Sequence, residues 1–160
     1  MSPSTLLIRT VLQSWRLIID RTSKTLSSFT DDELQLEVAP GKNRLYYLMG
    51  HLAAVHDRLF PLLRLGERLH PELGSQFVDS PDRKLMGDGI PPAQLRTVWV
   101  EVNSRLTDAF ETLQPQEWLQ RHDSVSEEDF AKDPRRNRLA VLMSRVNHAA
   151  YHEGQMRLVR

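Results

Sequence analysis

The sequence predicts an all-α protein, a four-helix bundle with long connections between helices two and three and between helices three and four. Apolar residues recur at steps of three and four along stretches free of glycine, and no comparable run alternates apolar with polar residues. Glycine and proline are concentrated between these stretches, where helices are expected to end. The length of 160 residues is enough for one core, so we expect residues 1–160 to form a single domain.

The first helix is predicted from about residue 4 to 27, because its apolar residues fall on one side of a helical projection. A short helical turn is predicted to begin at Thr30. Thr30 and Glu33 have the spacing of a capping box, and Phe29 and Leu34 occupy the positions of a hydrophobic staple. The apolar stripe of the first helix consists of Leu7, Val11, Trp15, Ile18, Ile19 and Leu26.

The second helix is predicted to follow Asn43, which has a side chain suited to an N-cap. Pro61 is expected to kink or end this helix, because its ring removes a hydrogen bond and crowds the carbonyl of Asp57. Residues 66–90 hold four of the seven glycines, so we expect a long loop with little regular structure. The apolar stripe of the second helix consists of Leu45, Leu48, Leu52, Val55 and Leu59.

The third helix is predicted to begin at Pro91 and Pro92, since proline suits a first turn, and to end before Pro115. A polar connection over about 114–136 follows, and in it Ser124 and Glu127 have the spacing of a second capping box. The stripe of the third helix consists of Leu95, Val98, Trp99, Val102, Leu106, Phe110 and Leu113.

The last helix is predicted from about Asn137 to the C-terminus. Arg145 is its only formal charge between Leu139 and His152, and apolar residues surround it, which indicates burial on more than one side. The apolar side opposite the histidines needs a second partner. We expect a second copy of the chain there, giving a homodimer, with the loop over 66–90 as the alternative.

Composition excludes several classes of function. The 21 Lys and Arg balance the 21 Asp and Glu, so no net positive field favours nucleic acid. No segment approaches the roughly 18 apolar residues of a membrane span, and no export signal is apparent, so we expect neither nucleic acid nor membrane as a partner. The chain has no cysteine, which fits a cytoplasmic protein and leaves His, Asp and Glu as metal ligands.

His148 and His152 are the main chemical signal, because two imidazoles four residues apart on one helix face can bind one metal ion. A catalytic site needs a third ligand from another helix. His51 and His56 are both candidates, and helical periodicity does not choose between them, while His70 and His122 lie in connections and are expected to be solvated. The glutamate of the HExxH zinc proteases is absent.

Two segments, NRLYYLMGHLAAV at 43–55 and NHAAYHEGQ at 147–155, resemble the DinB-like (DinB/YfiT) family of metal-dependent four-helix-bundle enzymes. The resemblance covers essentially the whole chain in length and helix order. It implies that His51, His148 and His152 bind a divalent metal such as zinc or nickel. Gly154 and Gln155 match a Gly-Gln pair that usually follows in the family.

The same resemblance implies a thiol-dependent transferase or related chemistry, in which the metal activates a thiol or water and a small molecule is the substrate. A low-molecular-weight thiol such as bacillithiol, mycothiol or glutathione would be the cosubstrate. The sequence departs from the commoner family form at Tyr151 and Glu153, where His and Arg are frequent. The alternative function is a non-catalytic helical scaffold or interaction protein with a vestigial histidine site.

Three further residues are weaker candidates for the surroundings of the metal. Tyr47, one turn before His51, and Gln155, three residues after His152, are placed to hydrogen-bond a ligand imidazole or the substrate. A packed tyrosine and a solvated glutamine are the alternatives. Trp99 lies in the stripe of the third helix, so we expect it in the core, with a place in the pocket as the alternative.

Overall fold

The computed structural model describes residues 1–84 and 89–159, and within these ranges it contains eight α-helices and one 3-10 turn at Glu33–Gln35. Residues 85–88, in the predicted loop, lie outside the described residues. The helices are α1 (Pro3–Ser27), α2 (Leu45–Asp57), α3 (Leu59–Leu62), α4 (Leu73–Phe77), α5 (Pro92–Thr112), α6 (Pro115–Trp118), α7 (Glu127–Lys132) and α8 (Arg138–Arg157).

Helices α1, α2, α5 and α8 form the bundle. α1 packs against α8 and α5, and α2 packs against α5 and α8, so the four helices enclose one core. The predicted all-α bundle is confirmed. Among the described residues, no helix is both long and apolar enough to cross a membrane.

Aromatic rings fill one end of the core. The ring of Phe110 on α5 meets Trp15 edge-on at 5.4 Å and Trp118 at 5.3 Å, and both tryptophans are fully buried. The Trp15 indole N–H donates to the Thr107 hydroxyl at 3.0 Å, so the ring is buried without losing its hydrogen bond. The connection predicted over 114–136 therefore contributes Trp118 to the core.

Most predicted helix boundaries are present. The Thr30 amide donates to the Glu33 carboxylate at 2.7 Å and the Glu33 amide to the Thr30 hydroxyl at 3.2 Å, which confirms the first capping box. Asn137 caps α8 by accepting from the amide of Ala140. α2 ends at Asp57. Pro61 has no N–H, so it cannot donate to the Asp57 carbonyl as a helix would require.

The predicted N-cap of α2 was wrong by one residue. Arg44 holds that position with extended backbone and no side-chain cap, because the Asn43 carbonyl is used by the amide of Val38. The Arg44 amide and guanidinium both donate to Asp82, in a buried ion pair of 2.7 Å. A residue 38 positions away therefore fixes the start of the helix, which no local pattern reveals.

The second capping box was also misplaced. Ser126, not Ser124, caps α7, accepting from the amide of Asp129 at 3.0 Å. The first turn of α7 is entirely acidic, which the helix dipole favours. Ser124 instead lies 3.1 Å from His122.

The segment 66–90 is more regular than predicted, because it contains α4, whose Leu73 and Phe77 are fully buried against α2. Gly50 makes this packing possible. A Cβ built at Gly50 would lie 2.3 Å from the Phe77 ring, so any side chain there would displace α4. The glycine that precedes His51 thus brings α4 to the helix that carries His51.

The apolar side of α8 is covered from within the chain. Leu142 and Ala149 are fully buried, and α8 lies along α1, with Thr25 of α1 donating to Glu153 at 3.1 Å. Neither the loop nor a second copy is needed to bury these residues. Met143 remains half exposed on this side, and the homodimer stays a prediction.

Candidate metal centre

Helices α2 and α8 bring three imidazoles together. His51 lies in the middle of α2, and His148 and His152 lie one turn apart on the side of α8 that faces α2. Their Nε2 atoms converge, with 3.2 Å between His51 and His148 and 3.1 Å between His148 and His152. We call these residues the three-histidine centre.

Two of the rings are held by hydrogen bonds through their other nitrogen. His51 Nδ1 lies 2.8 Å from the Phe77 carbonyl, and a carbonyl only accepts, so this nitrogen carries the proton. His152 Nδ1 is similarly held by the Gln155 side-chain oxygen at 2.7 Å. In both neutral rings Nε2 is left with a lone pair aimed at His148.

The convergence is unfavourable without a positive charge between the rings. If the proton of neutral His148 is on Nε2, this single N–H can point at only one of the two neighbouring lone pairs. If the proton is on Nδ1, both contacts join two lone pairs. His148 Nδ1 is buried and has no hydrogen-bond partner within residues 1–84 and 89–159. A cation bound by all three Nε2 atoms would remove this repulsion.

The spacing fits a divalent ion. Nitrogens about 2.0–2.1 Å from a tetrahedral zinc lie about 3.3 Å apart. The ligand atoms of the three histidines all lie within 4.8 Å of one another, so the group could hold a metal ion. Each histidine is half-buried, which leaves a side from which a small molecule can approach. Three protein ligands leave one tetrahedral position open, as in catalytic zinc sites.

Burial keeps the imidazoles neutral. Burial first, and then the neighbouring His152, His51 and Arg145, lowers the pKa of His148 to about 4. Burial likewise lowers the pKa of His51 and of His152, against the hydrogen bonds to Phe77 and Gln155. At neutral pH the three rings are therefore neutral, which is the form that binds metal.

His56, the other candidate on α2, lies outside the centre. It is fully buried between Trp15 and Trp99, with ring centroids 4.9 and 5.6 Å away. Its Nδ1–H donates to the Asn103 oxygen at 2.7 Å, and the Asn103 amide donates to the Trp99 carbonyl. The structure therefore chooses His51 over His56 as the neighbour of the α8 pair.

The two remaining histidines are also apart from the centre, although both are half-buried rather than solvated as predicted. His70 lies between the carboxylates of Glu72 and Glu101, at 3.1 and 3.0 Å. His122 lies beside the Ser124 hydroxyl. The sequence did not reveal these partners, because Glu101 lies on α5, far along the chain from His70.

The weaker candidates take different places. Gln155 contacts His152, as described. The Tyr47 ring lies parallel to His51 at 6.1 Å, and its hydroxyl donates to the Ser80 carbonyl rather than to an imidazole. Trp99 is buried in the core, where its indole N–H donates to the Ser23 hydroxyl.

The two positions that depart from the commoner family form, Tyr151 and Glu153, lie in different surroundings. Tyr151 is 64% exposed and meets the edge of His152 at 5.2 Å. Glu153 is buried against α1, where it accepts from Thr25, and does not point into the centre. Only Tyr151 is therefore near the ligands.

Sequence reasoning missed the support that residues 77–84 give to His51. Residues at the start of α2 hold this segment, because Arg44 pairs with Asp82 and Tyr47 donates to Ser80, and Tyr46 donates to the Ile90 carbonyl at 2.8 Å. The Phe77 carbonyl at its beginning orients His51. The pair Leu73 and Phe77, four apart, was the available signal of a buried helix in this segment.

Comparison with protein families supports this geometry. A profile of the DinB superfamily matches residues 15–156, nearly the whole chain and all three histidines of the centre. The chain belongs to the DinB superfamily. Comparison with curated proteins gives no match. Membership fits a metal-binding role for the three-histidine centre of this DinB protein.

Proposed function

We propose that this DinB protein is a metal-dependent enzyme in which His51, His148 and His152 hold a divalent ion, zinc or nickel, and that it acts on a small molecule. One observation carries the proposal, the convergence of the Nε2 atoms of three neutral imidazoles at metal-ligand spacing. A bound divalent ion supplies a nucleophile near neutral pH by lowering the pKa of a water or a thiol.

The chain's own residues give this site its character. All three ligands are neutral, so they leave the full charge of the ion uncompensated, which favours an anionic partner such as a thiolate. Hydrogen bonds donated to the Phe77 and Gln155 oxygens hold two of the rings in the tautomer that presents Nε2. Transfer from a low-molecular-weight thiol is the reaction we propose first, with hydrolysis by activated water second.

Metal content tests the ligand set. Purified protein should be stripped with a chelator, reloaded with zinc or nickel, and analysed for bound metal. We expect one equivalent in the wild type and well under one equivalent in His51→Ala and His148→Ala. His122→Ala is the matched control, since His122 lies beside Ser124 and outside the centre. Equal metal content in all four proteins would refute the three-histidine site.

An activity screen separates the enzyme from the alternative of a non-catalytic scaffold. Metal-loaded protein should be assayed with bacillithiol, mycothiol and glutathione against electrophilic acceptors, beside ester and amide substrates. Turnover that requires the thiol and is lost in His148→Ala supports the transferase. Turnover of esters or amides without thiol supports the hydrolase. A protein that binds metal but turns over neither class supports the scaffold.

A further inference from the structure

Arg145 is a charged residue of α8 with the helical spacing that places it on the same face as His148 and His152. It precedes His148 by three residues and His152 by seven, so all three side chains lie on one face of the helix. After burial and the Phe77 hydrogen bond, the charge of Arg145 is the next influence on the pKa of His51. It also lowers the pKa of His148. The charge of Arg145 therefore acts on ligands from both helices of the centre.

Arg145 has no carboxylate partner among residues 1–84 and 89–159, and its Nε is buried without a hydrogen bond to any of them. Glu153, the acidic residue nearest in sequence on α8, is turned toward Thr25 of α1. A half-buried guanidinium without a partner costs stability, unless a ligand supplies the missing charge.

Arg58 shows that the fold can satisfy such a charge. It directly follows the end of α2, seven residues after His51, and its charge also lowers the pKa of His51. Its guanidinium donates to Asp79 at 3.2 Å. Both arginines affect the centre, but within the described residues only Arg58 has a carboxylate partner.

We propose that Arg145 binds the carboxylate of an acidic substrate beside the three-histidine centre and so selects anionic small molecules. This proposal rests on the proposed function, because it places the substrate at the same site. Arginine favours a carboxylate over a thiolate, since its planar fork of N–H groups matches two oxygens. An uncompensated metal charge nearby adds to the same preference.

The test measures acetate binding to protein loaded with cobalt(II), whose visible absorption reports on changes at the ion. Acetamide, similar in shape but uncharged, is the matched probe. Dissociation constants should be determined for the wild type, Arg145→Gln, Arg145→Lys and Arg58→Gln. Metal content and circular dichroism of each protein are measured first. Calorimetry with the zinc-loaded proteins gives a second readout that does not depend on cobalt.

We expect Arg145→Gln to weaken acetate binding by about tenfold to a hundredfold, the range for a hydrogen bond to a charged group. Arg145→Lys should lie between it and the wild type. Arg58→Gln should change binding by less than about threefold, since Asp79 already screens that charge. Acetamide binding should be equal in all four proteins.

The outcomes separate this proposal from the one before it. A wild type that loads no metal refutes the metal site, and the anion site with it. A loaded wild type that binds acetate no better than Arg145→Gln refutes only the role of Arg145. If Arg145→Gln does not fold, Arg145→Lys decides, because unchanged acetate affinity together with unchanged acetamide affinity would show that the guanidinium fork makes no contact.

Discussion

His51 and His56 lie five residues apart on α2, and their environments differ in kind. His56 belongs to a polar pair with Asn103 that is closed inside the core between two tryptophans. His51 has one nitrogen bound to a carbonyl and the other aimed at two more histidines. We call the first the core pair, and compare it with the three-histidine centre.

The difference shows how one helix can carry a structural and a chemical histidine. In the core pair, the imidazole donates to an amide that itself donates to the backbone, so the ring stabilises the packing of α2 against α5. In the three-histidine centre, packing and hydrogen bonds orient lone pairs toward one another. The first arrangement stabilises the fold without a ligand, and a bound cation would stabilise the second.

The largest expected effect is on the core pair. His56→Ala removes a ring from between Trp15 and Trp99 and leaves the Asn103 oxygen without its donor. We expect the free energy of unfolding to fall by about 3 kcal/mol, measured by urea titration in the presence of chelator. The folded variant should still bind one equivalent of zinc. Loss of metal from a folded His56→Ala would break the distinction between the two regions.

The next effect concerns the three-histidine centre alone. Zinc at a hundred times its dissociation constant should raise the free energy of unfolding of the wild type by about 2.7 kcal/mol, because it binds only the folded state. Differential scanning fluorimetry with and without zinc measures the shift. The shift should vanish in His148→Ala and persist in His56→Ala. A shift of equal size in His148→Ala would mean that zinc binds elsewhere.

The hydrogen bond between Gln155 and His152 allows a finer test. Gln155→Ala should weaken zinc binding by about tenfold to a hundredfold, since the ring loses the acceptor that fixes its tautomer. Competition with a chromophoric chelator measures the dissociation constant. Gln94→Ala, at an exposed position of α5, is the control and should leave it unchanged. Unchanged affinity in Gln155→Ala would show that packing alone orients His152.

In the metal-free protein, the slope of the unfolding free energy against pH distinguishes the core pair from the three-histidine centre. Burial first, against the Asn103 hydrogen bond, lowers the pKa of His56 to about 3, and burial lowers that of His148 to about 4. Both values lie below the ordinary value of about 6.5, so the unfolded chain takes up these protons first. The free energy of unfolding therefore keeps its full value above pH 6.5 and falls progressively as the pH drops toward 4.

Each such histidine contributes a slope of at most about 1.4 kcal/mol per pH unit, and half-buried His148 less than buried His56. Urea unfolding between pH 7 and 4.5 in chelator measures it. His56→Ala should flatten the wild-type slope more than His148→Ala does. The reverse order would show that the centre, not the core pair, is the region destabilised by acid.

The bundle could be predicted because each long helix carries its own pattern. The stripes of the first and third helices place Trp15 and Phe110 in the core, and local signals such as Thr30 with Glu33 and Asn137 mark boundaries correctly. Local signals failed where a distant residue intervenes, as when Asp82 holds Arg44 at the start of α2. Before α7, Ser124 and Ser126 are both candidates for one cap, and spacing alone did not choose Ser126.

In the candidate site, too, local spacing predicted one part and distant contacts decided the rest. His148 and His152 are four residues apart on one helix, so the sequence by itself determined that they share a face. The choice of His51 over His56 was decided by tertiary structure, because both lie at the edges of the α2 stripe and only packing shows which edge meets α8. The same holds for the Phe77 carbonyl and for Arg145. Spacing along a helix fixes relative direction, whereas the partner across the bundle depends on how whole helices pack.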